Sequence, residues 1–363
     1  MDEGLREERQ RRSFRRDLRA WYEGERRELP WRESPEPWHV LLSEVILQQT
    51  RVEQGRPYYE RFVRDYPSPH RLAEASEEEV LKAWEGLGYY RRARNLHTAA
   101  RLIRERHDGR VPGDYDQLLE LPGVGPYTAA AVGSIAFGIP RAVVDGNVTR
   151  VVTRLFAIEE EVGRAAGRRR VEEAAAELLD PEDPGTHNQA LMELGSLLCT
   201  PSSPACERCP VASCCSARRQ GRQESFPVKA PKPERPHHTE PAAWIEDARG
   251  DLLLLRRPAA GLLGGLWELP GGRAREGEPP PGALRRVLRE LLGVEAEVGE
   301  APVHVEEHAF SHYRVTIPVH RGRLPEAVLS TPAGRQLRWA DRETLAGLPL
   351  SRAHRRITDA LLA

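Results

Sequence analysis

The sequence is poor in lysine. Only Lys82, Lys229 and Lys232 stand among 54 basic residues, and all the others are arginine. A Schiff-base lysine therefore has few candidates. Long apolar runs are missing too. The longest candidate, Thr128 to Pro140, is interrupted by Gly133 and Gly138 and is shorter than the roughly 20 residues of a membrane span. The first residues, MDEGLREERQRRSFRR, hold no apolar stretch of signal-peptide type, which predicts a cytoplasmic protein. Nor is there an excess of one charge: 54 basic against 55 acidic residues leave −1. Bulk electrostatics thus do not announce a nucleic-acid binder. A hydrophobic fraction of 39% excludes a disordered or fibrous chain. At 363 residues the chain fits two or three domains rather than one.

Cysteine is absent outside one short stretch. All five lie between Cys199 and Cys215. An odd, clustered set argues against a disulfide framework. The spacing is Cys199-x6-Cys206-x2-Cys209-x5-Cys215, with Cys214 left over beside Cys215. Four thiolates so close in sequence can wrap one small inorganic centre. Both structural zinc and a 4Fe–4S cluster accept four thiolates. Zinc sites usually use two Cys-x2-Cys knuckles, and one is present. Pro201, Pro204 and Pro210 predict a rigid loop.

Residues up to about 198 read as helical, with apolar residues three and four apart. The runs are Trp38 to Glu53, Ser76 to Gly86, Arg91 to Arg106 and Ala165 to Leu179. From Ala217 to Pro241, five prolines predict an extended linker with no regular element. Beyond it, strand-like runs (Ala243 to Glu246, Leu252 to Arg256, His304 to His308, Arg314 to His320) flank a helix from Gly282 to Leu292. Another helix is expected from Ser351. The second domain is therefore mixed α and β.

Two short helices, Tyr115 to Glu120 and Tyr127 to Phe137, flank Leu121-Pro-Gly-Val-Gly-Pro126. Such a turn frees backbone N–H groups at a helix N-terminus, where a phosphate binds without any side chain. Gly123 and Gly125 permit the close approach. Downstream lies Asp145 in VVDGNVTR. Glu44 sits in the apolar segment Val40 to Leu47. It is either on the outer face of a helix or a buried acid with a raised pKa.

LPGVGPYTA resembles the helix-hairpin-helix of DNA repair glycosylases. The order hairpin, aspartate, four cysteines is similar to the endonuclease III superfamily. LPWRESPEPWHVLLSEVILQQTRV, GLGYYRRARNLH and HNQALMELGSLLCT narrow the resemblance to MutY-type adenine DNA glycosylases. The resemblance implies three regions. Residues 1–216 form an all-α catalytic domain with the hairpin and a 4Fe–4S loop, 217–241 a linker, and 242–363 an α+β Nudix-like, lesion-recognising domain. It implies one 4Fe–4S cluster on Cys199, Cys206, Cys209 and Cys215. The implied substrate is duplex DNA with adenine opposite 8-oxoguanine or guanine, flipped out for excision, by a monomer acting at a bacterial nucleoid.

Residue by residue, Glu44 matches the general acid that protonates adenine at N7. Asp145 matches the carboxylate facing the sugar, and Tyr127 and Asn147 the residues orienting this pair. Tyr127 occupies the position where bifunctional relatives carry the lyase lysine, so a hydrolase without efficient strand cleavage is expected. Leu29, Trp31, Arg32, Gln189 and Glu193 match the adenine pocket. Some family members carry a carboxylate where Gln189 stands. Gln48, Gln49, Thr50, Leu87 and Tyr89, the hairpin glycines Gly123 and Gly125, and Phe310-Ser311-His312 match contacts to the duplex and the lesion. The Nudix box keeps Glu278, Arg286, Glu290 and Gly293 but has Val287 and Leu291 where two acids belong. Divalent-cation binding should fail there. Three other readings compete: a bifunctional glycosylase/lyase, an iron–sulfur DNA-binding sensor, and a Nudix pyrophosphatase with a DNA-binding appendage. The missing lysine, the Glu44–Asp145 pair and the missing box acids count against them in turn.

Overall fold

A computed structural model describes residues 8–33, 35–231, 234–325, 331–332 and 334–363. No described helix is long and apolar enough to cross a membrane. The chain divides into two compact units. One comprises Met1–Ala73 with Thr98–Lys232, the other Glu74–His97 with Pro233–Ala363.

The first unit is helical. Its opening helix, Glu8–Glu25, escaped the periodicity reading because charge dominates its sequence. Phe14, Leu18 and Tyr22 nevertheless recur at four-residue spacing, and all three are buried. They pack on Val148, Val151, Val152 and Leu155 of the helix Gly146–Phe156 and on Leu191 and Leu194 of the helix Pro184–Leu197.

The expected helix from Trp38 to Glu53 is two helices, Pro37–Leu47 and Val52–Asp65. Gln49 turns the chain with a left-handed φ of 56°. No glycine or proline signals this break. What favours it is the packing that follows, because Gly55 lies against Leu47 and Ile46 so closely that a Cβ would sit 2.8 Å from Leu47 Cδ2. The proline-rich segment is also more ordered than its composition suggests. It holds the short helix Ser216–Arg219, a 3₁₀ turn at Gln223–Ser225 and the strand His237–Thr239. Phe226 is buried there, and the carbonyl of Val228 accepts the N–H of Val162. Between Pro236 and Pro241 enough N–H groups remain for a three-residue ladder.

Two close approaches bring the helix Pro184–Leu197 against its neighbours. A Cβ on Gly185 would meet Ser134 O at 2.8 Å, and one on Gly195 would meet Asn147 Cβ at 2.7 Å. Between them, buried Asn188 fastens the segment that leads to Asp145. Its Oδ1 accepts the N–H of Val143 at 3.0 Å, and its Nδ2 donates to Arg141 O at 2.8 Å and Ser134 Oγ at 2.9 Å.

In the second unit the long strand Arg314–Arg323 is central. It runs parallel to His237–Thr239 and Ala242–Trp244 and antiparallel to His304–Ala309 and Glu297–Val298. A second sheet places Leu252–Arg256 between Trp267–Glu268 and Leu337–Ala340. The helix Pro280–Leu292 sends Leu284, Leu288 and Leu292 into a core with Ala243, Ile245, Leu253 and Leu255. The helix Arg352–Leu362 adds Ala353 and Ile357 to a second core with Trp244, Leu254 and Val319. The α+β expectation holds, with the strand Leu337–Ala340 and the helix Arg342–Gly347 unforeseen.

Asn188→Ala would strip the buried N–H of Val143 of its acceptor. A loss of about 1–3 kcal/mol of stability is expected, measured by denaturant unfolding. An unchanged midpoint would show that the Arg141–Val143 segment needs no such fastening.

Candidate active site

Glu44 lies on the helix Pro37–Leu47, whose other buried residues are Trp38, Val40, Leu41, Leu42, Ser43, Val45 and Ile46. It is 8% exposed, so the buried alternative is the correct one. The Tyr127 hydroxyl donates to Glu44 Oε2 at 2.5 Å. Burial pushes the Glu44 carboxyl up to about 7. The Asp145 charge acts in the same direction, while the Tyr127 hydrogen bond and the Arg32 guanidinium oppose it.

Asp145 is the N-cap of the helix Gly146–Phe156. Its Oδ1 accepts the N–H of Val148 at 2.6 Å, and its Oδ2 accepts from Asn147 Nδ2 at 3.0 Å. Burial raises its pKa, and these donors work against the rise. Tyr127 is itself held neutral by burial and by the two carboxyls.

Arg150, one turn further along, ties this cap to the cysteine loop. It donates to Asn147 Oδ1 at 2.8 Å, to Gly195 O at 2.6 Å and to Cys199 O at 2.6 Å. Arg154, 1% exposed, donates to Cys199 Sγ at 3.2 Å, Thr200 O at 2.7 Å and Pro201 O at 3.0 Å. Sequence reasoning missed both arginines. The available signal was two arginines four apart within an otherwise apolar helix face (Val148, Val151, Val152, Leu155).

Cys199, Cys206, Cys209 and Cys215 line one cavity with Arg154, Leu198 and Gln223, and Cys214 is not among them. All five thiols are free of disulfides. Among the described residues no three His, Cys, Asp or Glu side chains converge tightly enough for a single ion. Burial pushes the Cys209 thiol up to about 12.

In the hairpin, the helices Tyr115–Leu119 and Pro126–Phe137 flank the turn, and Gly123 takes a φ of 81°. Gly125 is the N-cap of the second helix and offers no side chain to its first N–H groups. They remain available to an anion.

The sequence matches the HhH-GPD superfamily of base excision DNA repair proteins over residues 42–181 and the NUDIX domain over residues 242–360. The human adenine DNA glycosylase is 35% identical over 95% of this chain and 73% of its own length. A thermostable thymine-DNA glycosylase superposes with a TM-score of 0.52 at 29% identity, over 58% of this chain and 97% of that one. Endonuclease III, trapped in a covalent intermediate with DNA, gives 0.50 at 26% identity, over 59% and 97%. The chain belongs to the adenine DNA glycosylase family.

Around the two carboxyls of this glycosylase, Arg32 and Arg27 converge on Glu193. Arg27 Nη2 lies 2.6 Å and Arg32 Nη2 3.0 Å from Glu193 Oε2, and Arg27 also donates from its backbone N–H. Burial acts to raise the Glu193 pKa, yet these donors hold it down at about 2. Both its oxygens are thus engaged within the protein. Gln189 accepts from the Tyr22 hydroxyl at 3.3 Å. Leu29 and Trp31 are buried, Trp31 edge-on to Tyr59. Gln48 Nε2 donates to Thr128 Oγ1 at 3.1 Å, Gln49 is exposed at the turn, and Thr50 bonds the Gln48 carbonyl.

In the second unit Leu87 is buried and Tyr89 is 41% exposed. Phe310 opens the turn between the strands His304–Ala309 and Arg314–Arg323, half-buried, tilted against the Tyr313 ring and edge-on to His308. Ser311 and His312 are exposed beside it.

Gly195→Ala should push on Asn147 and so on the Asp145 carboxylate, since an added Cβ meets Asn147 Cβ at 2.7 Å. Adenine excision in single turnover should fall at least about tenfold. Wild-type excision by a folded variant would show that this approach is not what seats Asp145.

Proposed function

We propose that this glycosylase excises adenine opposite 8-oxoguanine in duplex DNA as a monofunctional hydrolase, with Glu44 as general acid and Asp145 as the carboxylate facing the sugar. The observation that carries this reading is the placement of two buried carboxyls in unequal surroundings. Cleaving an N-glycosidic bond requires a proton on the leaving base and negative charge beside an oxocarbenium-like sugar. Glu44, pushed up to about 7, retains a proton to give at N7 of a flipped-out adenine. Asp145, with the Val148 and Asn147 donors, is better suited to remain anionic. It stabilises the cationic sugar electrostatically or captures it until water attacks. Tyr127 holds the Glu44 carboxyl, Asn147 holds Asp145, and no lysine stands at position 127 to support strand cleavage.

The four cysteines suit a 4Fe–4S cluster. They surround one cavity, and the buried Arg154 guanidinium faces Cys199 Sγ, which balances the charge of thiolate ligands. A cluster bound there would act structurally, fixing the loop whose Cys199 carbonyl accepts from Arg150. The free first-turn N–H groups of Pro126–Phe137 serve the DNA backbone. Residues 1–216 are assigned to catalysis, with 217–241 joining them to the Nudix-like 242–363, which reads the lesion. Within 242–363 Glu278 is clamped by Arg286 at 2.7 Å and Val287 is buried. That arrangement suits recognition rather than pyrophosphate hydrolysis. The protein is proposed to act as a monomer.

Single-turnover excision from A:8-oxoguanine, A:G and A:T duplexes tests the substrate, with the first expected to be fastest; equal rates on all three contradict it. Glu44→Gln should lower excision by at least about 10²-fold while duplex binding persists. Because Glu44 works protonated and Asp145 works as an anion, the wild-type rate should be bell-shaped, falling on the acid side as Asp145 takes up a proton and on the alkaline side as pH rises through about 7. A rate that climbs across that range refutes the general acid. Protein purified without oxygen should carry about four iron atoms. Cys206→Ser should lose iron and Cys214→Ser keep it; zinc in their place overturns the cluster.

A further inference from the structure

The helix Glu77–Ala83 and the loop after it, Gly86 to Tyr90, belong to the same compact unit as the C-terminal fold, not to the unit that holds Glu44 and Asp145. Their attachments are specific. Glu85 receives Arg355 Nε at 2.7 Å, and both side chains are mostly buried. Arg355 is itself fixed by the Leu345 carbonyl at 3.1 Å and the Leu348 carbonyl at 2.7 Å. Glu78 accepts the indole N–H of Trp267 at 2.9 Å and pairs with Arg338 at 3.3 Å. Gly265, at a φ of 82°, passes so near that a Cβ would meet Glu77 Oε1 at 3.0 Å and Leu81 Cδ1 at 3.1 Å. The Tyr90 hydroxyl donates to Leu350 O at 3.2 Å and accepts the N–H of Gly86 at 3.2 Å.

The loop held this way has one outward side chain, Tyr89, at a left-handed φ of 46°. Arg92 lies over the rings of both Tyr89 and Trp84, and Trp84 Nε1 donates to Gly88 O at 3.0 Å. The Tyr89 hydroxyl is hydrogen-bonded to the Ser311 hydroxyl. We infer that Glu85, through Arg355, is a positioning residue that seats Tyr89 beside Ser311. Glu78 supports it in the same way. The inference rests on the proposed 8-oxoguanine preference and adds the ion pair that holds the two proposed contacts in place. An aromatic ring that stacks on a base and a hydroxyl beside that base's edge discriminate together only if their spacing is fixed. 8-Oxoguanine differs from guanine at that edge, carrying a donor at N7 and an oxygen at C8. The Glu85–Arg355 pair is partly buried and so only partly screened, and Lys82 Nζ also reaches Glu85 at 2.6 Å, so the cluster can fix the spacing. The loop then travels with the C-terminal fold when that fold meets the duplex.

The test uses the full-length, cluster-loaded protein. Glu85→Arg, Arg355→Glu and the charge-keeping Glu85→Asp are compared with wild type by single-turnover excision from A:8-oxoguanine and A:G duplexes. Amide hydrogen exchange across residues 86–92 is measured on the same proteins. Each charge reversal should cut the preference for 8-oxoguanine about tenfold and speed exchange in the loop. Excision from A:G should stay within about twofold of wild type, because the proton donor and the sugar-facing carboxylate lie in the other unit. Glu85→Asp, which keeps the charge, should retain most of both the preference and the protection of the loop. If a charge reversal prevents folding, Glu85→Gln keeps the size and reads the same quantities. Unchanged preference and unchanged exchange in folded charge-reversed variants overturn the inference, as does a Glu85→Asp variant that loses as much of both as Glu85→Arg. A wild-type enzyme that treats both duplexes alike refutes the 8-oxoguanine reading instead, and loop exchange still decides the positioning.

Discussion

Two carboxyl groups removed from water and close enough to feel each other cannot both ionise cheaply. Glu44 and Asp145 are under that constraint, and their neighbours resolve it unequally. Asp145 caps a helix and accepts from a backbone N–H and from Asn147, all of which favour its anion. Glu44 receives a single hydroxyl from Tyr127. The cation that could pull its proton away, Arg32, is bonded to Glu193 together with Arg27. Environments that push two titratable groups apart divide the roles of acid and anion between them.

The helix Gly146–Phe156 turns this electrostatic division into architecture. Its N-cap is the anionic partner, its apolar face meets Phe14, Leu18 and Tyr22, and its arginines reach the cysteine loop. Gly195 allows the helix Pro184–Leu197 to lie against Asn147, and Asn188 on the same helix fixes the approach to Asp145. A disturbance of the cysteine loop therefore reaches Asp145 through two side chains, Arg150 and Asn147.

Much of this was legible in the sequence because the chemistry sits in short, dense motifs. The cysteine spacing, the glycine-rich hairpin turn and the Nudix-like box each announce themselves in fewer than 25 residues. The four-cysteine cavity excludes Cys214, as adjacency to Cys215 suggested. Glu44 shows the limit. Its surroundings read equally as a helix with one polar outer residue, and burial became evident only when Tyr127 and Asp145 were brought to it from distant parts of the chain. The turn at Gln49 carries no glycine or proline signal because the packing of Gly55 against Leu47 and Ile46 favours it. Glu8–Glu25 was hidden by its arginines and glutamates, which pair along the outer faces. The proline-rich segment misled in the opposite direction: Phe226 and Val228 anchor it where composition suggests only a tether.

The central claim is that Glu44 keeps its proton near neutral pH while Asp145 does not. Carbon-13 NMR of the side-chain carboxyls, with Glu44→Gln and Asp145→Asn used to assign the two resonances, measures this directly. The account predicts a Glu44 midpoint near 7 and a lower one for Asp145. A Glu44 carboxyl that is fully ionised at pH 6, or an Asp145 that titrates above it, would contradict the division of roles on which the mechanism rests.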